Sequence, residues 1–396
     1  MDWETLYCPN KRCKYYGWPF RQGKLVKNGS SYGQPKALCK ECWTGVALSY
    51  ATAYYGLERD PAIFETAVRA LAEGNSIRAT GRILQIDKDT VCGWLNRAAL
   101  HCRSVVLYLG SHLQVTECQL DELWGFVHTK AAHLAFAKIY CETYGDAWVW
   151  LAFAPGWRLV LAFVVGKRNQ ESADLLLERV KNVTNEHIPC LTSDRLPEYE
   201  DALLHTYGTW VPPERKGSRG RFPNPRLIPG ADLLDAQVVK VRENGRVTEV
   251  KTKVIFGKPE ASAAQLADSP VNDAVNTSFV ERDNLTQRQS NRRLTRRTNG
   301  FSKEIAWFEK QLWLSTGYYH LVLPHHSLRQ PLEPPEPTRG TGTPKKWKPV
   351  TPAMAAGLTD HVWTTAELLS YRVPAQFVDQ LSQIKPLFTL LEAVHH

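Results

Sequence analysis

Three acids in this chain are placed as a ligand set. Asp121 lies in the strand-like run "QVTECQLDELWGFVH", and Asp194 closes a second run, "HIPCLTSD". Glu281 heads "VERDNLTQRQSNRRLTRR", a segment with six arginines between Arg282 and Arg297 and only Asp283 as a further acid. A solvated helix normally intersperses acids with bases at i,i+4 spacing, so an acid at the head of an arginine run asks for a use. Two unpaired carboxylates brought close together repel, and a divalent cation between them relieves the repulsion. Glu281 would complete such a site while Arg288, Arg292, Arg293 and Arg296 hold phosphates, the first two following Glu281 along much the same helix face. Two Mg²⁺ or Mn²⁺ ions about 3.5–4 Å apart would activate an attacking oxygen and stabilise the leaving one in phosphodiester transfer. Asp283 competes for the third place. Plainer roles also exist: a strand-end acid for Asp121, a helix N-cap for Asp194, a first-turn acid favoured by the macrodipole for Glu281.

Four thiols make a second set. Cys8 and Cys13 are spaced C-x4-C, and Cys39 and Cys42 C-x2-C. Two close pairs can supply a tetrahedral thiolate site, and four thiolates leave no open position, which suits one structural Zn²⁺. Lys11, Arg12, Lys40 and Glu41 make these knuckles polar for an apolar core, although four unliganded buried cysteines are the alternative. The chain has nine cysteines, an odd number that in a reducing compartment favours metal over disulfides.

The elements that must position these residues follow from periodicity. Between the thiols, a glycine-containing basic stretch suits the short strands of a zinc ribbon. Residues 60–97 read as three helices: Asp60 caps the first ahead of Pro61, Gly74-Asn75-Ser76 breaks it, a second runs from about Ile77 to Leu84, and Asp87 caps a third through Arg97. Ala79, Ile83, Val91 and Leu95 form the expected inner face. Lys88, Asp89, Thr90, Gly93, Asn96 and Arg97 are expected outward, which makes a helix-turn-helix with Lys88, Thr90, Asn96 and Arg97 as DNA contacts; a plain three-helix bundle is the alternative. Three strand-like runs, a helix over "NQESADLLLERVKN", a fourth strand ending at Asp194 and another helix then follow in the order βββαβα. That order resembles the ribonuclease H arrangement, whose first and fourth strands are neighbours and would set Asp121 beside Asp194.

A long excursion, about 209–275, separates the second acid from the third. It holds "PPERKGSRGRFPNPR" and a hairpin signalled by Asn244-Gly245. Lys240, Arg242, Lys251 and Lys253 suit a DNA clamp, against the plainer reading of a surface decoration. His320, His325 and His326 fit phosphate or structural roles better than a metal. The Pro/Gly-rich stretch Arg329 to Pro349 reads as a basic linker, and Thr364 and Glu367 are spaced as a capping box.

At 396 residues, two or three domains are expected. The divisions fall at 1–50 for the ribbon, 51–110 for the helix-turn-helix, 111–328 for the catalytic part and 329–396 for a linker and C-terminal extension of helical or irregular structure. The class is multidomain α+β. A net charge of +9 favours a polyanionic partner, double-stranded DNA ahead of a membrane. The acidic start "MDWETLYCPN" lacks a signal-peptide pattern, and a cytoplasmic location is expected. Trp148 to Gly166 is long and apolar enough to mimic a membrane span, but Pro155, Gly156 and Arg158 at its centre fit a buried hairpin.

"DELWGFVHTK", "LTSDRLPEYEDALL", "VERDNLTQRQSNRRLTRRTNGFSK" and "YYHLVLPHHSL" resemble the catalytic half of insertion sequence 1 family transposases, and the ribbon with "GNSIRATGRILQIDKDTVCGWL" resembles their DNA-binding half. The resemblance covers about Leu6 to Leu328 apart from the excursion. It implies a D-D-E triad of Asp121, Asp194 and Glu281. It also implies cutting and joining of DNA at the terminal inverted repeats of an element, by at least a dimer. The wider C-x4-C knuckle, Arg195 where relatives often have glycine, and the excursion depart from the family pattern. A non-catalytic regulator of transposase descent and a stand-alone metal-dependent nuclease are the rival readings.

Overall fold

The structure, a computed structural model, describes residues 1–136, 141–212, 224–244, 246–272, 274–338, 340 and 342–383. Strands β1 (Leu25–Ser31), β2 (Gln34–Cys39) and β3 (Gly45–Ala47) form an antiparallel sheet in the order β1-β2-β3. Helices α1 (Pro61–Ala72), α2 (Ile77–Leu84) and α3 (Lys88–Leu109) follow. Their starts are set as the sequence implies, with Asp60 accepting from the Ala62 amide, Ser76 from Ala79 and Asp87 from Asp89. Gln85 ends α2 at φ 56°, the left-handed geometry of a helix C-terminus.

Two expectations here fail. Helix α3 does not stop near Arg97: Ala98, Ala99, Cys102 and Val105 continue its buried stripe to Leu109. Ile83 is not on the inner face but 66% exposed, because an eight-residue helix lying on α1 and α3 covers only a narrow stripe, here centred on Thr80 and Gly81.

The central sheet has six strands in the order β11-β10-β7-β4-β5-β6. Strands β4 (Glu117–Val127), β5 (Gly145–Ala154) and β6 (Leu159–Gly166) are an antiparallel meander, so Trp148 to Gly166 is a hairpin, as Pro155 and Gly156 imply. No helix among the described residues is long and apolar enough to cross a membrane. Helix α4 (Gln170–Val183) crosses to β7 (Cys190–Asp194), which runs parallel to β4, and α5 (Pro197–Tyr207) follows. Next come the small pair β8 (Gly208–Val211) and β9 (Arg226–Pro229), then β10 (Asp235–Glu243) and β11 (Arg246–Phe256). The hairpin at Asn244-Gly245 is present in its pairing of Glu243 with Arg246, but its placement corrects the sequence reading. Strand β10 lies parallel to β7, pairing Val238 with Asp194, and is an integral strand of the sheet. Ala236 and Val238 are buried there. Most of the basic stretch at the start of the excursion falls at 213–223, outside the described residues.

Helix α6 (Pro259–Ala267) leads to α7 (Ser278–Ser290) and α8 (Ile305–Leu321). The expected linker is in fact a strand pair, β12 (Gln330–Glu336) with β13 (Lys345–Lys348). Helices α9 (Pro352–Ala355), α10 (Thr365–Ser370) and α11 (Ala375–Gln383) end the described chain, and α10 carries the capping box of Thr364 and Glu367.

Alternation along the strands divides the core. On one side Leu120, Trp150 and Val164 pack on Leu176, Val180 and Tyr199 of α4 and α5. On the other, Leu123, Val149 and Phe163 join Phe308 and Trp313 of α8, Leu95 and Ala98 of α3, and Leu368 of α10 in one continuous cluster. The helical triplet therefore shares a core with the sheet. The tail also returns to the N-terminus: buried Arg372 donates to the carbonyls of Leu48 (2.6 Å), Tyr50 (2.9 Å) and Asp2 (3.0 Å).

Candidate metal and nucleic-acid site

The parallel register of β4 and β7 pairs Gln119 with Thr192, which sets Asp121 level with Asp194 two residues on. Oxygens of Asp121, Asp194 and Glu122 lie within 4.8 Å of one another. The sequence pattern does not single out Glu122. Strand alternation turns Asp121 toward α7 and Glu122 toward the α5 side, where its carboxylate faces Tyr199 and pairs with Arg168 at 3.1 Å. At the strand edge both still reach Asp194.

This charge is held at a cost. Burial first, then the charges of Asp194 and Glu281, push the Asp121 carboxyl up to about 6, against the pull of the Glu122 amide and Asn284. Burial likewise raises Glu122 to about 7, with Asp194 and Asp121 adding to it. Asp194 is raised by burial and by Glu281, and lowered by Arg168 and Lys240. Asp194 Oδ1 and Glu122 Oε1 are buried atoms with no hydrogen-bond partner. Orphaned carboxylate oxygens converging on one another are the donor set a hard divalent cation takes, so these residues fit Mg²⁺ or Mn²⁺.

The third acid arrives by a different route. Buried Glu117 accepts from Asn272 (2.6 Å) and Gln119 (3.0 Å), and Gln119 Oε1 accepts from the Val280 amide at 3.0 Å. These bonds dock the first turn of α7 on β4. Glu281 then stands close enough to raise both aspartates, yet its carboxylate is taken by Lys240 of β10 and by the Thr277 hydroxyl at 2.8 Å. One turn along, Asn284 donates to Asp121 Oδ2. Asp283, the rival, is buried on another side of α7, raised to about 7 by burial and bonded to Gln287 at 3.2 Å. Neither Asp283 nor Glu281 is among the acids whose oxygens lie within 4.8 Å of one another.

The arginines behave differently from a phosphate-holding helix. Helix α7 stops at Ser290, where Asn291 takes an extended conformation and caps a short 3₁₀ turn at Arg292–Leu294. Arg288 donates to the carbonyls of Leu294 (2.7 Å) and Trp124 (3.3 Å), propping that turn. Arg293 is half-buried and donates to Ser302 at 3.0 Å. Arg292 and Arg296 are exposed.

In the helical triplet Lys88 is exposed and paired with Asp89 at 2.9 Å, while Thr90 and Asn96 are half-buried. Arg97 is a correction: instead of facing outward as a donor it bonds the carbonyls of Tyr55, Ala53 and Gly56, so it fastens the segment before α1. His320 is likewise structural, accepting from the Val160 amide at 3.1 Å and pushed down by burial to about 3. Lys240 is committed to Glu281, and Lys251 to Glu249 at 3.0 Å, whereas Lys253 is exposed.

The four thiols do converge. Cys8 Sγ lies 3.5 Å from Cys42 Sγ and Cys13 Sγ 3.8 Å from Cys39 Sγ, all four within 4.8 Å of one another. Burial opposes ionisation at Cys42, but Thr44 and the neighbouring thiols outweigh it and bring that thiol down to about 6. The amide of Trp43 bonds back to the Cys39 carbonyl at 2.8 Å, forming the second knuckle. Four sulfurs converging in this way fit Zn²⁺.

No protein-family model matches the chain, and no curated protein matches it. Among solved structures, it is similar to the Mos1 transposase paired-end complex with left transposon end at 13% identity and a TM-score of 0.15, over 37% of this chain and 57% of that one. A pre-cleavage Mos1 transpososome gives 11% identity and a TM-score of 0.16, over 37% of this chain and 58% of that one. The chain thus spans under two thirds of the length of either.

Proposed function

We propose that this protein is a DNA transposase with a ribonuclease H-like core. The observation that carries the reading is the convergence of Asp121 and Asp194 on adjacent parallel strands, with Asp194 Oδ1 and Glu122 Oε1 buried and unpartnered and α7 docked alongside. Asp121, Asp194 and Glu281 would hold Mg²⁺ or Mn²⁺. The ion supplies Lewis-acid stabilisation of attacking and leaving oxygens in phosphodiester displacement. Asn284 orients Asp121, Arg168 steadies Glu122, and Lys240 neutralises Glu281. Water is the first nucleophile and a freed 3′-hydroxyl the second. Cys8, Cys13, Cys39 and Cys42 would hold one structural Zn²⁺, and α2 with α3 would engage terminal repeats, in an assembly of at least two copies.

One observation favours a variant of this reading, in which Glu122 is the third ligand, because its oxygen already lies within 4.8 Å of the aspartates. Strand nicking and joining on a duplex carrying the element ends, in Mg²⁺ or Mn²⁺, separates the possibilities. Glu281→Gln is expected to bind the duplex and leave it uncut, with Asp283→Asn still active. Loss only in Glu122→Gln transfers the third place to Glu122. An inactive wild type that binds the ends makes the protein a regulator.

A further inference from the structure

A cleft of about 1110 Å³ opens between the helical triplet and the segment that follows α7, away from the carboxylates. Its walls carry seven cations and two acids. Arg78, Arg82, Arg292, Arg297 and Lys303 are all exposed, and none is paired with an acid among the described residues. Like charges gathered this way repel unless an anion joins them.

Two further groups, Asn291 and Arg293, line the cleft. Asn291 is fully buried; its Oδ1 accepts from the Arg293 amide at 3.0 Å, which fixes the amide orientation and leaves Nδ2 as a donor without a partner. Arg293 beside it has the Ser302 hydroxyl but no carboxylate among the described residues, and burial pushes its guanidinium down to about 10. A buried unsatisfied donor next to a half-buried cation with no carboxylate is costly, and one acceptor-rich anion would satisfy both.

The walls are fastened together. Gly74, at φ +84°, leaves its backbone so near α7 that a Cβ would lie 3.0 Å from the Gln289 carbonyl, and Gln311 of α8 donates to the Leu71 carbonyl at 3.0 Å. The end of α1 is thus held against both α7 and α8, so the helical triplet and the helix that carries Glu281 form one frame around the cleft.

We infer that this cleft seats the sugar-phosphate backbone of DNA, with Asn291 and Arg293 as an inner phosphate seat and Arg78, Arg82, Arg292, Arg297 and Lys303 as its rim. The inference rests on the DNA-binding part of the proposed function and adds where the strand runs: from α2 to the end of α7, so that one chain holds a single duplex at both its recognition helices and its acids.

The test uses the full chain, a fluorescently labelled duplex and anisotropy across a salt series. Arg78→Ala, Arg82→Ala, Arg297→Ala and Lys303→Ala together are expected to lower the slope of log affinity on log salt by roughly 0.9 for each phosphate no longer neutralised, with thermal unfolding unchanged. Asn291→Asp, which sets a carboxylate in the inner seat, is expected to weaken binding at least tenfold. Should it fail to fold, the rim variant decides alone. A rim variant with wild-type affinity and slope overturns the cleft while leaving DNA binding standing. A wild type with no salt-dependent affinity for DNA overturns the broader reading instead.

Discussion

Replacing Asp121 by Asn is expected to make the metal-free protein more stable and the metal-bound one less so. Burial and the neighbouring acids move this carboxyl from 3.8 to about 6. A tenfold change in acid dissociation is worth about 1.4 kcal/mol, so the ionised side chain costs the fold up to about 3 kcal/mol at neutral pH. Because the folded value lies above the unfolded one, the stabilisation from protonation is fully present below about pH 3.8 and is lost as the pH rises through about 6. The amide keeps the shape and can still accept from the Glu122 amide. Its new NH₂ meets Asn284, whose own Oδ1 is buried without a partner, so turning the Asn284 amide over restores a bond. A gain of about 1–3 kcal/mol in chelator at pH 7 is therefore expected, or several degrees in Tm, shrinking toward pH 5. Added Mn²⁺ should stabilise the wild type and not the variant. An Asp121→Asn protein no more stable than wild type in chelator, or equally stabilised by Mn²⁺, would refute the account of this charge.

Three further outcomes are expected. Cys39→Ser should lose the zinc bound by the wild type and unfold the N-terminal lobe, read by metal analysis and by near-ultraviolet circular dichroism. Arg97→Ala should cost about 1.5–3 kcal/mol by removing its charged hydrogen bonds and leave DNA affinity in the folded protein unchanged, contrary to a base-reading role; denaturant unfolding and anisotropy check the two halves. Lys251→Ala with Lys253→Ala should reduce the salt slope of DNA binding by roughly 0.9 for each lysine that touches a phosphate, and an unchanged slope makes the outer hairpin a decoration.

The strands that carry Asp121 and Asp194 are legible in the sequence because β4 and β7 are buried on both faces over their first four residues, so the acid that follows each buried stretch stands out. The four thiols are legible from spacing alone. Lys240 reads as a clamp residue because β10 looks like half of an isolated hairpin: its alternation is the same whether it extends a sheet or hangs from it, and only the pairing with β7 decides. Glu122 is hidden because alternation assigns it to the face opposite Asp121, although both reach Asp194 at the strand edge. Asn284 carries a usable signal, the i,i+3 spacing from Glu281. Arg97 has none, since its partners are backbone carbonyls of residues 53–56, which no side-chain pattern marks. The stop at Ser290 is masked by a run of polar residues with good helix propensity, and Asn291 ends it by capping the next turn.

Mn²⁺ binding by the full chain, followed by electron paramagnetic resonance, reports on the carboxylate site itself. The wild type is expected to bind Mn²⁺, and Asp121→Asn with Asp194→Asn to abolish this binding while the protein stays folded. Undiminished binding in the double variant, or none in the wild type with DNA present, would contradict a metal site at these acids.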